Sequence, residues 1–312
     1  MERESATFEK IVLVTRKTRL AELIERFNTL AQARFYIERA SGNFAEYQAE
    51  DDAYHRSAEV VRKSIDLGLK VQQIDRSLVP TFTFLPRDIV ITLGQDGLVA
   101  NTAKYVAAQP IIAVNPDPQR FDGILLPFLP GEARNIVEAV IASKCRIKKI
   151  TLAQATLGDG QRLLAFNDLF LGPQTHVSAR YRVHWHEVSE DQSSSGILVS
   201  TGAGSTGWVS SAFNMAAGIA AFSGASAFKP IRMSWEDPRL LFVVREPFIS
   251  RHSSANIVAG IIEREKTLTI ESLMPSGGVI FSDGIESDYM QFNSGAKVVI
   301  SVAKESAHLA VK

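Results

Sequence analysis

Over its first 143 residues the chain alternates short, wholly apolar runs with longer stretches of helical period. Residues 11–15 are such a run and predict a buried strand. Leu20, Leu23, Ile24, Phe27 and Leu30 then recur at helical spacing, predicting one helix with a single apolar face. The polar Ser41-Gly42-Asn43 breaks that pattern. Tyr54, Ala58, Val61 and Ile65 predict a second helix, which stops at Gly68. Residues 71–74, 88–92 and 110–114 predict further strands, and 98–107 a helix. Pro130-Gly131 opens another helix, with Ile136, Val137, Val140 and Ile141 on its core face. Strands alternating with helices imply a parallel sheet.

From about Arg146 the period changes. Residues 181–187, 196–200, 240–244, 257–262, 267–271, 279–282 and 297–302 all predict short strands, separated by Gly, Pro, Ser or Asp. A single helix stands out, over Trp208–Phe222. The expected architecture is an α/β N-terminal domain with a parallel sheet, residues 1–143. A mainly antiparallel β-sandwich C-terminal domain follows, residues 144–312.

Composition narrows the function classes. The length of 312 residues suits about two domains, and 46% hydrophobic content can bury a sizeable core. Lys plus Arg equals Asp plus Glu at 34 each, which gives no support to nucleic-acid or polybasic membrane binding. The lone Cys145 excludes an intrachain disulfide and any multi-cysteine metal site, and the expected home is a reducing cytoplasm. The N-terminal apolar run is too short for a signal sequence. Residues 192–228 carry no charge, but their Ser, Thr, Gly and Ala content argues for a buried strand, loop and helix and against a membrane span.

In the first half, DIVITLGQDG is the sharpest chemical signal. Gly94 and Gly97 permit a tight turn from a buried strand into a helix, whose first N–H groups favour phosphate. Asp96 puts a carboxylate inside that turn. Two chemical roles suit it: accepting a proton from a hydroxyl nucleophile, or holding Mg²⁺ that bridges phosphates. On composition alone a plain helix N-cap is the simpler reading. The Walker phosphate-loop pattern is absent from the chain.

Gly202-Ala203-Gly204-Ser205-Thr206-Gly207 satisfies the dinucleotide pattern G-x-G-x-x-G after a strand and before a helix. The acidic residue due about 20 positions later is missing, since the first acids are Glu236 and Asp237, and the surroundings are β-rich. A Rossmann dehydrogenase is therefore disfavoured. The turn still offers hydrogen bonds to a polar ligand from Ser200, Thr201, Ser205 and Thr206, unless it is only a buried capping turn.

Phe166-Asn167-Asp168 interrupts an apolar run, which is costly unless the polar pair is satisfied. Asn suits a base or amide and Asp suits sugar hydroxyls; a simple turn is the alternative. His184 and His186 have the spacing to share one strand face, but no third metal ligand is evident. Asp283-Gly284 is a hairpin signal. Asn115 and Asp117 follow a strand at the end where α/β sheets bind ligands.

Taken in order, these pieces resemble the NAD kinase family. Gly94-Gln95-Asp96-Gly97 is similar to its first motif, Gly-Gly-Asp-Gly, and Asn115 to the Asn of the loop after the next strand. Asn167-Asp168 stands for its Asn-Glu pair. Thr201, Gly204, Ser205 and Thr206 stand for Thr-x-x-Gly-Ser-Thr, and Asp283-Gly284 for its late Asp-Gly. Details such as Ser194-Ser195-Gly196, Trp208 and Arg245-Glu246-Pro247 look closest to the divergent mitochondrial-type members. The resemblance implies transfer of a phosphoryl group from ATP, with Mg²⁺, to the 2′-hydroxyl of the adenosine ribose of NAD. Asp96 would be the base. Gly94, Gln95, Gly97 and Asn115 would meet ATP, and Asn167, Asp168, Thr201, Gly204, Ser205 and Thr206 would hold NAD. It further implies a homodimer or homotetramer. Gln95 departs from the motif's second glycine, and Asp168 is one methylene shorter than Glu. Rival readings are a related kinase acting on a lipid or sugar hydroxyl and a non-catalytic nucleotide-binding protein.

Overall fold

The computed structural model describes residues 8–225 and 229–312. The chain divides into two compact units. One runs to Lys148 and includes His308–Lys312; the other is Lys149–Ala307.

In the first unit, β1 (Lys10–Thr15), β2 (Lys70–Asp75), β3 (Asp88–Leu93) and β4 (Pro110–Val114) pair in parallel in the order β2-β1-β3-β4. Every residue of β3 is buried, as a central strand covered on both faces must be. The apolar faces of α3 (Phe44–Ser64) and α5 (Ala133–Ile141) join the β1, β3 and β4 side chains in one core through Tyr54, Ala58, Val61, Val137 and Val140. Ile141 faces outward, against expectation. The single helix predicted through Leu30 is two, α1 (Arg19–Phe27) and α2 (Leu30–Arg39). Asn28 takes a left-handed conformation, φ 65°, and Thr29 caps α2 by accepting from the Gln32 N–H at 3.2 Å. The apolar spacing ran straight across this break. The helix after β3, α4 (Asp96–Ala103), starts and stops earlier than predicted.

The second unit is a β-sandwich. One of its sheets contains β5 (Arg146–Leu157), β6 (Arg162–Ala165), β8 (Ala179–Trp185), β9 (Val188–Ser194), β13 (Leu268–Ser272) and β16 (Lys297–Val311). The other runs β12 (Ala259–Ile262), β11 (Leu240–Val244), β10 (Ile197–Ser200), β7 (Asp168–Pro173), β14 (Gly278–Ser282), β15 (Tyr289–Gln291), all antiparallel. Leu171, Ile197, Val199 and Phe242 of the second sheet pack with Tyr181, Val183, Ile270 and Ile300 of the first.

Strands β5, β6, β7, β9 and β15 escaped the apolar pattern. Strand β9 reads Val-Ser-Glu-Asp-Gln-Ser-Ser, and its inward side chains are the polar Gln192 and Ser194. Both satisfy the buried Tyr181 hydroxyl, at 2.9 and 2.7 Å. Cross-strand bonding here overrides a poor strand composition. Strand β8 ends at Trp185, and His186 sits in the turn beyond it at φ 54°, so the two histidines do not share a strand face. Strand β16 is far longer than predicted: its first part pairs β13, and His308 and Leu309 pair in parallel with Pro110 and Ile111 of β4. The uncharged stretch begins in β9 and continues through β10, a glycine turn and α6 (Trp208–Phe222); its last three residues, 226–228, lie outside the described residues. No described helix is long and apolar enough to cross a membrane.

Candidate functional site

In the first unit, the chain leaves β3 through Gly94 and enters α4. A Cβ on Gly94 would stand 2.8 Å from Leu98 Cδ2, so a larger residue here would have to displace the Leu98 side chain. Gln95 occupies the N-cap position with no side-chain cap bond, and its side chain is exposed. Asp96 is thus the first helical residue and not the cap. Its Oδ1 accepts the Leu125 backbone N–H at 2.7 Å, and its other oxygen has no partner among the described residues. Gly97 is exposed, with open space where a Cβ would project.

Asn115 sits at the end of β4 with both ends of its amide engaged. Nδ2 donates to the Phe121 carbonyl and Oδ1 accepts from the Asp117 N–H, each at 3.0 Å. Gly123, at φ 64°, is held so close that a Cβ would meet Asn115 Nδ2 at 2.6 Å. Asn115 therefore shapes the loop that delivers the Leu125 N–H to Asp96.

In the second unit, the face of the β7-containing sheet turned away from the sandwich core carries Asp168 and Phe170, with Ser200 paired opposite Asp168. Asp168 is buried and its Oδ1 has no hydrogen-bond partner among the described residues. Loss of solvent pushes its carboxyl from 3.8 up to about 7; the nearby Asp283 charge adds to the rise, and the Ser200 hydroxyl opposes it. The Asn167 side chain is half-buried, with no partner among the described residues. The Asp283 carboxylate accepts the backbone N–H groups of Phe166, Asn167 and Asp168 at 3.1, 2.6 and 3.3 Å. The Asp283 N–H returns to the Asp168 carbonyl at 2.9 Å. Asp283 adopts φ 55° and Gly284 φ 70°, so the hairpin signal is real and the side chain has a second job.

The glycine-rich turn after β10 is mostly scaffold. Thr201 is buried; its hydroxyl donates to the Phe166 carbonyl at 2.6 Å and accepts from the Gly204 N–H at 3.2 Å. Ser205 is buried and bonds the Gly202 carbonyl at 2.8 Å and the Met233 N–H at 3.2 Å. A Cβ on Gly204 would meet the Asn167 carbonyl at 2.3 Å. The motif's glycine is needed for close backbone approach to the Asn167-Asp168 pair. Thr206 is exposed. Of this constellation Asn167, Asp168 and Thr206 keep polar groups for a ligand, while Thr201, Gly204 and Ser205 fix the backbone beneath them.

Along the same face, Phe170 stacks on Trp208 with ring centroids 5.5 Å apart and planes at 14°. The Arg245 guanidinium lies 5.3 Å from the Trp208 ring. These three, with Ser195, Glu246 and Tyr289, line a cavity of about 760 Å³ suited to a flat, polar ligand. Among the described residues no group of three or more His, Cys, Asp or Glu side chains is placed to hold a metal ion.

Sequence reasoning missed Arg16, Glu50 and Tyr54 beside the Gly94 turn. Tyr54 is buried and donates to the Leu93 carbonyl at 3.0 Å. The one available signal was a polar residue, Glu50, on the helical face that Tyr54 continues.

The sequence matches no protein-family model and no curated protein. Solved structures do match in fold. The crystal structure of yeast NADH kinase complexed with NADH superposes with a TM-score of 0.59 at 17% identity, covering 97% of this chain and 84% of that one. An NAD kinase from Archaeoglobus fulgidus in complex with ATP gives a TM-score of 0.54 at 14% identity, covering 96% and 93%. The chain has the NAD kinase fold.

Proposed function

We propose that the chain is an NAD kinase, transferring a phosphoryl group from ATP to the 2′-hydroxyl of the adenosine ribose of NAD. The observation that carries this reading is the Asn167-Asp168 pair. It is a half-buried amide beside a buried carboxyl with an unpartnered oxygen, fixed on the backbone by Asp283 and the Gly204 turn. Such a pair suits ribose hydroxyls and an amide or base edge, and it suits a lipid poorly. The fold shared with the yeast and archaeal kinases supports the same assignment.

In this reading Asp96 accepts the proton of the attacking hydroxyl through the oxygen not engaged by Leu125. The N–H groups of the Gly94–Gly97 turn face the donor phosphates at the start of α4. The loop held by Asn115 keeps the Asp96 carboxylate at a fixed angle. Asp96 is an oxygen donor compatible with Mg²⁺ carried on the phosphates, and the ion would neutralise charge developing there. Asn167 and Asp168 orient the acceptor; most of the rate then comes from positioning and charge stabilisation. Assembly with a second copy belongs to the same proposal. Helix α6 is uncharged over all 15 residues and presents Met215, Ile219 and Phe222 to the outside.

The test is incubation of the purified chain with NAD, ATP and Mg²⁺, with NADP read out by an NADP-specific dehydrogenase. NADP formation is expected. Binding of NAD without NADP formation would favour the non-catalytic reading, which the exposed Gln95 in the donor turn motivates. Neither binding nor product would move the acceptor to another hydroxyl compound.

A further inference from the structure

In the first unit, the residue after β1, Arg16, turns its side chain inward, and nine-tenths of it is buried. It lies against the glycine turn: a Cβ on Gly94 would stand 3.5 Å from Arg16 Cδ. The guanidinium is 5.3 Å from the Tyr54 ring and 5.8 Å from the ring of Phe121, in the loop that Asn115 holds. The Arg16 N–H donates to the Tyr54 hydroxyl at 2.9 Å, and that hydroxyl donates to the carbonyl of Leu93, the residue before Gly94. Two strand ends and the Asn115 loop are thereby gathered around one guanidinium.

Its charge is only partly matched. Arg16 Nη2 lies 3.3 Å from Glu50 Oε1, while Arg19 Nε lies 2.6 Å from Glu50 Oε2. Glu50 is 3% exposed, and Arg16 Nε has no hydrogen-bond partner among the described residues. One buried carboxylate is therefore shared between two guanidiniums. Two further carboxylates lie nearby and keep their charge: Asp51 bonds Thr18 and His55, and Asp75 accepts the Ser77 N–H and hydroxyl. Burying a guanidinium with an unbonded N–H is expensive, and the cost falls when an anion arrives beside it. On the phosphoryl-transfer reading of this turn, the incoming anion is a phosphate chain.

We propose that the Arg16–Glu50–Arg19 triad sets the affinity of the Gly94–Gly97 turn for the polyphosphate chain of the donor. Arg16 supplies the fixed charge, Arg19 the half-exposed share, and Glu50 attenuates both. Arg16 acts through the potential of the turn and is a positioning residue. The proposal rests on the phosphoryl-transfer reading of that turn.

The experiment compares Arg19→Gln, Arg19→Glu and Glu50→Gln in the full chain, titrated calorimetrically with ATP, with tripolyphosphate and separately with NAD. Arg19→Gln weakens ATP and tripolyphosphate alike, by roughly three- to tenfold for the loss of one unit of charge, and Arg19→Glu weakens them further. Glu50→Gln tightens both. NAD affinity stays at the wild-type value throughout. Equal losses for Arg19→Gln and Arg19→Glu, or weakening by Glu50→Gln, would mean that the triad is only a structural clamp and would overturn the proposal. If Glu50→Gln does not fold, the step from Gln to Glu at position 19 still decides the sign. A wild-type chain that binds neither phosphate ligand overturns the proposal as well. One that binds both but forms no NADP overturns only the kinase assignment.

Discussion

The carboxylate of Asp283 holds the backbone N–H of Asn167 at 2.6 Å, across 116 residues of sequence. The same carboxylate takes the neighbouring N–H groups on either side. A hairpin turn thus fixes the pair of residues assigned to the acceptor. Asp283→Ala leaves three backbone donors without their acceptor and is expected to cost about 2–4 kcal/mol of stability, with NAD binding weakened at least tenfold. Asp283→Asn keeps one acceptor oxygen and recovers part of both. Chemical denaturation and calorimetry check the two quantities; an unchanged NAD affinity in the alanine variant would remove the anchoring role.

Asp168 makes stability depend on pH in an unusual direction. Its carboxyl titrates near 3.8 when unfolded and at about 7 when folded, so the folded chain binds the extra proton between these values. Its contribution to stability is fully present below about pH 4 and is lost as pH rises to about 7. The loss is on the order of a few kcal/mol. Asp168→Asn is therefore expected to be more stable than the wild type at pH 8 and to flatten this part of the profile. NAD affinity, which needs an acceptor for ribose hydroxyls, rises through the same window in the wild type only. Melting temperatures of both proteins from pH 4 to 8 test this, and parallel curves would contradict it.

At Asp96 the two carboxylate oxygens separate structure from chemistry. Asp96→Asn retains an oxygen for the Leu125 N–H, so the melting temperature should move little. NADP formation should fall by roughly 100- to 10,000-fold with the base removed. Asp96→Ala loses both the hydrogen bond and the activity. Turnover in Asp96→Asn close to wild type would exclude Asp96 as the base.

Gln95 occupies an N-cap position at φ −101°, which any residue adopts, and its side chain makes no cap bond. Gln95→Gly therefore tests contact with the donor without disturbing the fold. A Gln95 that binds phosphate predicts a higher KM for ATP in the glycine variant, and one that obstructs phosphate predicts a higher kcat. If neither constant moves, Gln95 has no part in donor binding.

Helix α6 should mediate self-association. Ile219→Asp places a charge in its exposed apolar row, and the mass by light scattering is expected to fall to that of the monomer. An unchanged mass would place any interface elsewhere.

Much of the α/β unit was legible because β1, β3 and β4 are buried on both faces and read as unbroken apolar runs. The β-rich unit was less so. Strands β5 and β9 keep polar side chains outward or bond them internally, so their pattern comes from partners distant in sequence. At the site, residue types and spacing pointed to Asp96, Asn167 and Asp168. They did not reveal that Thr201 and Ser205 turn their hydroxyls inward, because the same motif serves a ligand or a backbone. Arg16 and Glu50 were invisible for the same reason: their pairing spans 34 residues and joins a strand end to a helix.

The last strand has a bearing on how the protein is made. His308 bonds the Ala108 carbonyl across 200 residues, and Ala310 sits in the core of the first unit. During synthesis, the first unit lacks this strand until residues beyond Ala307 have left the ribosome. Until then the Pro110–Ile111 end of β4 lacks its partner, the kind of surface that invites wrong pairing. The second unit is complete in sequence before the first one is, so the usual N-terminal-first order of folding is reversed for the final step.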